Sequence, residues 1–258
     1  ALSVIGALAD TTLPPVLIVV AGVLVAVPTC MLIGYTMERV AYRPLRGAPR
    51  LAPLITAIGI SIILQHVALL AWSRSPLAFP QIIPLASFHV GGAIITGVQI
   101  AIILTSLVMM GGLTLMVYRT KLGIAMRATS QNPQVAGLMG IDVNRIIAFT
   151  FIVGAGLAAV AGVMVGTYYG IAHYSMGSLL GLKAFSAAVL GGIGNLAGAM
   201  LGGILLGIVE ALGAGYIGDL TNNVFGSNYQ DVFAFLVLIA VLVFRPSGLL
   251  GERVGDRA

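Results

Sequence analysis

Long uncharged apolar runs constrain the fold of this chain more than any other feature. Each is long enough to cross a bilayer as a helix, which takes about 20 apolar residues. Soluble domains carry about 25% charged residues, whereas this chain of 258 residues carries 8%. The runs cover residues 13–37, 51–73, 97–118, 146–170 and 184–209, with a shorter one at 232–244. The sequence therefore predicts an all-α integral membrane protein, a polytopic helix bundle with one transmembrane domain over residues 1–258.

Positive charges between the runs predict which side of the membrane each connection faces. Lys and Arg are enriched in cytoplasmic segments, and eleven of the 13 basic residues fall in three places. They are Arg39, Arg43, Arg46 and Arg50 in the first connection, Arg119, Lys121, Arg127 and Arg145 in the third, and Arg245, Arg253 and Arg257 in the C-terminal tail. We therefore expect both connections and the C-terminus in the cytoplasm.

Counting crossings from that orientation creates a parity problem at residues 184–209. The preceding run ends outside, and the last run must start outside to place the tail in the cytoplasm. Both ends of 184–209 then lie outside, which a broken or re-entrant helix pair allows and one continuous span does not. The break is predicted at Gly191, Gly192, Gly194 and Asn195. The alternative is a single glycine-rich packing helix and a count that is wrong by one.

These four residues and Gln65, which lies in the second run, are the candidates for a translocation pathway or gate. Irregular backbone at membrane depth occurs only where it is buried in protein or lines a cavity. Broken helices at the midplane form the binding sites of many transporters. For Gln65, a hydrogen bond between helices is the alternative to a substrate contact.

Small residues recur every four positions in two of the runs. They are Gly154, Ala158, Gly162 and Gly166 in one run, and Gly194, Gly198 and Gly202 in the other. Such spacing lets helix backbones approach closely. It predicts close packing within a bundle and does not by itself indicate a dimer.

Two segments outside these runs carry further predictions. Residues 74–96 combine prolines with apolar pairs around Gly91 and Gly92 on the outer side, which fits a short external β-hairpin. Residues 1–9 are apolar and lack an initiator Met, which predicts the tail of an earlier helix and a truncated N-terminus.

Side chains suited to catalysis or metal binding are sparse. His66, His89 and His173 have no cysteine or paired carboxylate at ligand spacing, and the single cysteine, Cys30, lies in an apolar run. No Gly-Lys-[Ser/Thr] phosphate loop occurs. We therefore expect a protein without enzymatic activity, cofactor, metal or nucleic-acid partner. If ATP drives it, another chain binds the ATP.

Lys183 and Glu210 lie at the ends of apolar runs. Snorkelling of the charged group to the interface is the default explanation for such positions. Ion-coupled carriers instead place ionisable groups inside the membrane, so this interpretation argues against ion coupling.

The third connection has a clear local pattern. Residues 121–128 can form a short helix, after which Asn132 suits an N-cap and Pro133 the first helical position, where its missing N–H is harmless. Gly140 suits the position after a helix end, and Asp142 can cap the membrane helix that follows. We name residues 121–142 the handle, because this helix-turn-helix is tethered between two spans. A solvated connector is the alternative.

Five stretches resemble the permease subunits of bacterial ABC importers for branched-chain amino acids. They are Glu38-Arg-Val-Ala-Tyr-Arg-Pro-Leu-Arg46, Leu54-Ile-Thr-Ala-Ile-Gly-Ile-Ser-Ile-Ile-Leu-Gln65, Gly140-Ile-Asp-Val-Asn-Arg-Ile-Ile-Ala-Phe-Thr-Phe151, Lys183-Ala-Phe-Ser-Ala-Ala-Val-Leu-Gly-Gly-Ile-Gly-Asn195 and Arg245-Pro-Ser-Gly-Leu-Leu-Gly251. The fourth is quite specific, since generic hydrophobic helices would not produce it. Within the family, the chain most resembles the smaller permease, which carries the Glu-Arg-Val-Ala-Tyr-Arg-Pro loop.

The resemblance implies a multi-pass permease of the bacterial inner membrane. It would pair with a second permease subunit, dock on two cytoplasmic ATPase subunits and receive Leu, Ile or Val from an external, periplasmic binding protein. Family members begin with further membrane sequence, which agrees with a truncated N-terminus here. Related permeases carry urea or short amides.

The handle would then contain the coupling helix that engages an ATPase. The residues assigned to this role are Arg127, Asn132, Pro133, Ala136 and Gly137. Ala136 and Gly137 are small enough for close contact with the ATPase, and Arg127 can form an ion pair with the ATPase at the edge of that contact.

The resemblance also implies a role for the broken helix. An amino-acid substrate is a zwitterion, and its carboxylate and ammonium groups need polar partners in the pathway. Free N–H groups at the helix start near Asn195 are candidates to meet the substrate carboxylate. Two other functions stay open: a stand-alone secondary carrier or channel for a small polar solute such as urea or an amide, and a purely structural membrane subunit.

Overall fold

The computed structural model describes residues 15–49, 51–72, 74–79, 87–90, 93–192, 194–217, 229–245 and 247–251. In this part of the chain the α-helices are α1 (Pro15–Met37), α2 (Leu51–Ala71), α3 (Gly97–Arg119), α4 (Lys121–Gln131), α5 (Pro133–Leu138), α6 (Val143–Tyr169), α7 (Met176–Gly191), α8 (Leu196–Leu212) and α9 (Gln230–Phe244). Helix α1 continues through a π-helical turn, Glu38–Tyr42, and a 3₁₀ turn, Arg43–Leu45, and α8 continues through a π-helical turn, Gly213–Ile217.

Five helical segments of the described chain are long and apolar enough to cross a membrane. They are Leu17–Leu45, Leu51–Ala71, Gly97–Arg119, Val143–Tyr169 and Leu196–Tyr216. Two further apolar helices, α7 and α9, are shorter. The prediction of an all-α, polytopic membrane protein is confirmed.

Some predictions fall on residues that the structure does not describe. The apolar stretch at residues 1–9 and the tail residues Arg253 and Arg257 lie outside the described residues. The same is true of residues 218–228, which lie between the last two apolar runs.

The chain divides into two compact units, Ala1–Met176 and Gly177–Ala258. In the first unit, α1 and α6 pack against each other in antiparallel directions. Gly34 near the end of α1 lies beside Ala155, and Gly156 lies beside Met31. The core of this unit consists of Ile18, Val19, Ala26, Phe79, Ala159 and Val163. Antiparallel packing places the end of α1 next to the start of α6.

The small residues of α6 do not all face this core. Gly166 does, because a Cβ there would meet the ring of Phe79 at 3.0 Å. Gly154 and Gly162 have open space beside them, and Ala158 is exposed. Within this chain, Gly156, Ala159 and Val163 also belong to the buried face of α6. Close packing of Gly154, Ala158 and Gly162 stays a prediction.

Helices α2 and α3 have no buried residue. Such apolar, uncovered helices suit a bilayer environment, where lipid replaces protein as the solvent for their side chains. A short ladder between Leu77–Ala78 and Ile171–Ala172 links the segment after α2 to the end of α6. Strands Ser87–Val90 and Ala93–Thr96 pair in antiparallel register, so the predicted β-hairpin is confirmed.

In the second unit, α7 and α8 form an antiparallel hairpin, and α9 packs along α8. Added Cβ atoms at Gly198 and Gly202 would overlap the α7 backbone at Gly191 and Ala187. Helix α7 ends at Gly191 and α8 begins at Leu196, so the predicted break is confirmed. With 16 and 17 residues, the two arms are about 24–26 Å long at 1.5 Å per residue. Each therefore approaches the length of a full span and exceeds a half-helix.

Candidate functional site

The connection between α7 and α8 packs against the end of the chain that follows α9. Leu249 N donates to Leu190 O at 2.9 Å, and Leu250 N donates to Gly191 O at 3.0 Å. The carbonyls that the last turn of α7 leaves free are thus bonded by residues 247–251, which we name the tail segment. The tail segment directly follows α9, so the break between α7 and α8 lies level with the C-terminal end of α9. The break does not lie beside the middle of that helix.

Glycine is required at this contact because two backbones touch. Gly192 has a φ of +107°, which L side chains rarely adopt, and a Cβ there would meet the Gly251 Cα at 2.6 Å. Gly248, in the tail segment, has a φ of +81°, and a Cβ added there would meet the Gly192 Cα at 2.6 Å. Gly194 also has a positive φ, +97°, but open space surrounds it.

Asn195 connects the break to both α8 and the tail segment. Its Oδ1 accepts from Gly198 N at 3.0 Å, which caps α8, and its Nδ2 donates to Leu250 O at 3.0 Å. Both ends of the amide therefore make contacts within the chain. This arrangement gives Gly191, Gly192 and Asn195 a place in a packed joint, and their role in a pathway or gate stays a prediction.

Gln65 lies on α2 in the first unit. Its Nε2 donates to Ser61 Oγ at 3.2 Å, one turn earlier on the same helix. This bond lies within α2 and does not join Gln65 to another helix. Its assignment to the pathway stays a prediction.

The handle has the local structure that its sequence predicts. Thr120 caps α4 through a bond from Gly123 N at 3.1 Å, and Asn132 caps α5 by accepting from Gln134 N and Val135 N at 3.0 and 3.2 Å. Pro133 occupies the first turn of α5. Gly140 ends it with a φ of +84°. Asp142 caps α6.

The exposed surface of the handle is apolar at the end of α5. Leu138 is 87% exposed and Met139 78% exposed, whereas Ala136 is only 3% exposed. Gly137 has open space where a side chain would project. A partner can therefore touch Leu138, Met139 and Gly137, while Ala136 faces inward and supports α5. Sequence reasoning missed Leu138 and Met139, although exposed apolar residues beside a Gly are a readable signal.

Arg127, on α4, contacts the end of α3, and its predicted ion pair with an ATPase stays a prediction. Its guanidinium lies over the ring of Tyr118, 5.2 Å from the ring centroid. A cation–π contact of this kind contributes about 0.5–1 kcal/mol at an exposed site. It fixes α4 against the end of α3.

A charged cluster in the second unit was also missed by sequence reasoning. Lys183 Nζ lies 2.9 Å from Glu210 Oε2 and 2.7 Å from Asp231 Oδ1, so one lysine on α7 pairs with carboxylates on α8 and α9. We name these residues the Lys183 trio. Lys183 and Glu210 therefore pair with each other, and the expectation that their charged groups reach the membrane interface stays a prediction.

Residues 1–242 match the family model described as the permease component of the branched-chain amino acid transport system. No solved structure matches the chain.

Curated relatives carry the same description. The high-affinity branched-chain amino acid transport system permease protein BraD of Pseudomonas aeruginosa is 44% identical over 223 residues, which cover 85% of this chain and 70% of that protein. LivH of Escherichia coli K12, a permease protein of the same kind of system, is 41% identical over 241 residues, or 92% of this chain and 75% of LivH.

A more distant relative is the probable branched-chain amino acid transport permease protein LivH of Methanocaldococcus jannaschii. It is 30% identical over 143 residues, which cover 54% of this chain and 44% of that protein. With a family model that spans nearly the whole sequence and apolar helices able to cross a bilayer, this chain belongs to the family of permease components of branched-chain amino acid transport systems.

Proposed function

We propose that the chain is the transmembrane permease subunit of an ATP-driven importer. It conducts Leu, Ile, Val or a related hydrophobic amino acid across the bacterial inner membrane, and its C-terminus lies in the cytoplasm. Family membership supports transport. The observation that carries ATP coupling is the handle, a folded helical connection whose outer end is apolar.

The handle is suited to protein docking. Covering the exposed Leu–Met pair is favourable, since burial of each apolar side chain contributes about 1.5–3 kcal/mol. Leu138 and Met139 form that pair here, and the caps at Asn132 and Asp142 fix the direction in which α5 points. Arg127, Asn132, Pro133, Ala136 and Gly137 shape this element, and Leu138 and Met139 contact the ATPase.

The partners follow from that role. The chain pairs with a second permease subunit, two cytoplasmic ATPase subunits dock below, and an external binding protein delivers the amino acid. ATP hydrolysis takes place on the ATPase subunits and not on this chain. The uncovered helices α2 and α3 leave apolar surface for lipid and for the second permease.

The joint between the α7–α8 connection and the tail segment is the proposed gate. Four residues of it, Gly191, Gly192, Gly194 and Asn195, were assigned from sequence, and the backbone contacts at Gly192 support a mechanical role. Gln65, half-buried on α2, is the proposed polar contact of the pathway.

Reconstitution tests the proposal. Purified permeases, ATPases and binding protein in vesicles should take up leucine only when ATP is present on the ATPase side. Omission of the ATPase subunits should abolish uptake. Uptake that continues at the same rate without ATP or ATPases would contradict the proposal.

The Lys183 trio favours one alternative, a stand-alone secondary carrier. Ionisable groups inside a membrane often mark ion or substrate pathways. In this chain the charges pair with one another across three helices, which also suits a structural role. A secondary carrier would show ion-gradient-driven uptake by this chain alone, and the importer would not.

A further inference from the structure

Arg46 links two segments that are far apart in sequence. Its guanidinium donates to the Glu38 carboxylate and, through another nitrogen, to Asn144 Oδ1. Glu38 and Arg46 belong to the turns that follow α1, whereas Asn144 lies in the first turn of α6. One side chain therefore bridges the end of α1 and the start of α6.

The packing of the first unit creates this bridge. Helices α1 and α6 run antiparallel, so the end of one meets the start of the other. The rings of Tyr42 and Phe151 form a second contact between the same segments, with their centroids 4.9 Å apart. Asn144 comes two residues after Asp142, the N-cap where the handle ends.

The buried carboxylate of Glu38 holds Arg46 in place. Glu38 is 2% exposed. A carboxylate that deep requires a cation and hydrogen bonds, and Arg46 supplies both. A guanidinium presents several N–H donors in a rigid plane. With one side of this plane held by Glu38, another donor is directed at Asn144.

The two contacts differ in what they stabilise. The Glu38–Arg46 pair lies within the turns after α1, eight residues apart, and compensates a buried charge. The Arg46–Asn144 contact joins neutral and charged partners 98 residues apart. Removing the Asn144 side chain removes the hydrogen bond between Arg46 and α6, while the ion pair between Arg46 and Glu38 stays intact.

We propose that Arg46 and Asn144 are positioning residues for coupling. Their hydrogen bond joins the start of α6, which directly follows the handle, to the turns after α1. A displacement of the handle then moves α1 and α6 together. This inference rests on the proposed function, in which an ATPase moves the handle. Without this hydrogen bond, the end of α1 and the start of α6 keep only their packing contacts, such as that between Tyr42 and Phe151, so a displacement of the handle reaches α1 less completely.

The experiment measures amino acid taken up per ATP hydrolysed in vesicles that contain the complete importer. Asn144→Ala removes the acceptor, and Arg46→Lys keeps a cation for Glu38 but loses the second donor of the planar group. We expect both variants to assemble and to hydrolyse ATP in response to the binding protein. The uptake-to-ATP ratio should fall about two- to fivefold, because the contact is exposed and exposed charged contacts contribute about 0–1 kcal/mol.

Two variants serve as controls. Asn144→Asp retains an oxygen acceptor for Arg46 and should keep the wild-type ratio. Arg39→Ala removes another Arg of the same connection, which is exposed and bonds Tyr35 one turn away on its own helix. It should also keep the wild-type ratio, since it does not reach α6.

The outcomes separate coupling from stability. Wild-type ratios in both Asn144→Ala and Arg46→Lys would overturn the inference. It would also be overturned if both variants lose assembled complex and all rates together, because that pattern indicates a purely structural contact. Failure of the proposed function is a different result: the wild-type complex itself would show no ATP-dependent uptake.

Discussion

Gly192 and Gly194 share a left-handed backbone but not an environment. Both have positive φ, yet only Gly192 lies against the tail segment, where a Cβ would overlap Gly251. The two positions therefore separate backbone strain from loss of close approach. This difference makes them a matched pair for substitution.

Gly192→Ala should be more damaging than Gly194→Ala. At Gly194 the cost is left-handed strain alone, about 1–2 kcal/mol. At Gly192 the same strain is joined by overlap with the tail segment, so residues 247–251 should detach. Thermal unfolding in detergent and protease cleavage after α9 measure the two effects. Equal unfolding temperatures and equal cleavage for both variants would contradict this interpretation.

Lys183→Met should destabilise the second unit moderately. It leaves the Glu210 and Asp231 carboxylates, which are 18% and 35% exposed, without their cation. Because the trio is only partly buried, the cost should lie between that of an exposed pair and that of a buried pair, at about 1–2 kcal/mol. Arg145→Ala is the control, because its pair with Asp142 is 87% exposed on the arginine side, and such pairs contribute about 0–1 kcal/mol. Unfolding midpoints measure both. Adding Glu210→Gln and Asp231→Asn to Lys183→Met should restore part of the loss.

The residues that could be assigned from sequence are those with local partners. Asn132 and Asp142 bond to backbone N–H groups two and three residues away, so a short motif contains the whole interaction. Lys183 and Asp231 meet only after three helices pack. Arg46 and Asn144 are likewise joined by tertiary structure, and a single sequence contains no distance between them.

Among the elements, the handle offers the clearest test of coupling. Gly137→Trp projects a large ring into open space beside Leu138, so it should fold normally and obstruct docking. Leu138→Asp should weaken docking by placing a charge in an apolar contact. We expect ATPase stimulation and uptake to fall at least tenfold, equivalent to about 1.4 kcal/mol of docking energy.

The matched comparison is Arg127→Ala, which loses a contact with Tyr118 and should change uptake only slightly. Ala136→Trp is a poor probe, because Ala136 is buried and the variant would disrupt α5 itself. Normal coupling in both Gly137→Trp and Leu138→Asp would show that the exposed end of α5 does not dock.

At this scale the sequence predicted where elements end better than how they pack. In the sequence, Gly191, Gly192, Gly194 and Asn195 predicted the break between α7 and α8, and the apolar pairs around Gly91 and Gly92 predicted the β-hairpin. The count of membrane crossings, oriented by the positive charges, predicted that both ends of the helix pair lie on the same side of the membrane. It contains no information on how deep in the membrane the break lies. The position of the break beside the tail segment comes from tertiary hydrogen bonds at Leu190 and Gly191.

For the molecule as a whole, topology is the main open prediction. Single cysteines at Ser178 and Asn222, in a background with Cys30 replaced by alanine, should react with an impermeant thiol reagent added outside. Asn222 lies outside the described residues, and Ser178 is in the first turn of α7. A cysteine at Leu250 should react only after permeabilisation. Labelling of Ser178 and Leu250 from the same side would rule out the proposed arrangement.

The contact between the tail segment and the α7–α8 connection also fixes an order of assembly during synthesis. The carbonyls of Leu190 and Gly191 receive their hydrogen bonds from Leu249 and Leu250, which leave the ribosome about 60 residues later. At the usual elongation rate of about 5–20 residues per second, the helix pair enters the bilayer seconds before its end is satisfied. During that interval water, lipid headgroups or the insertion machinery must bond these carbonyls, so this unit completes its fold only after α9 has been inserted.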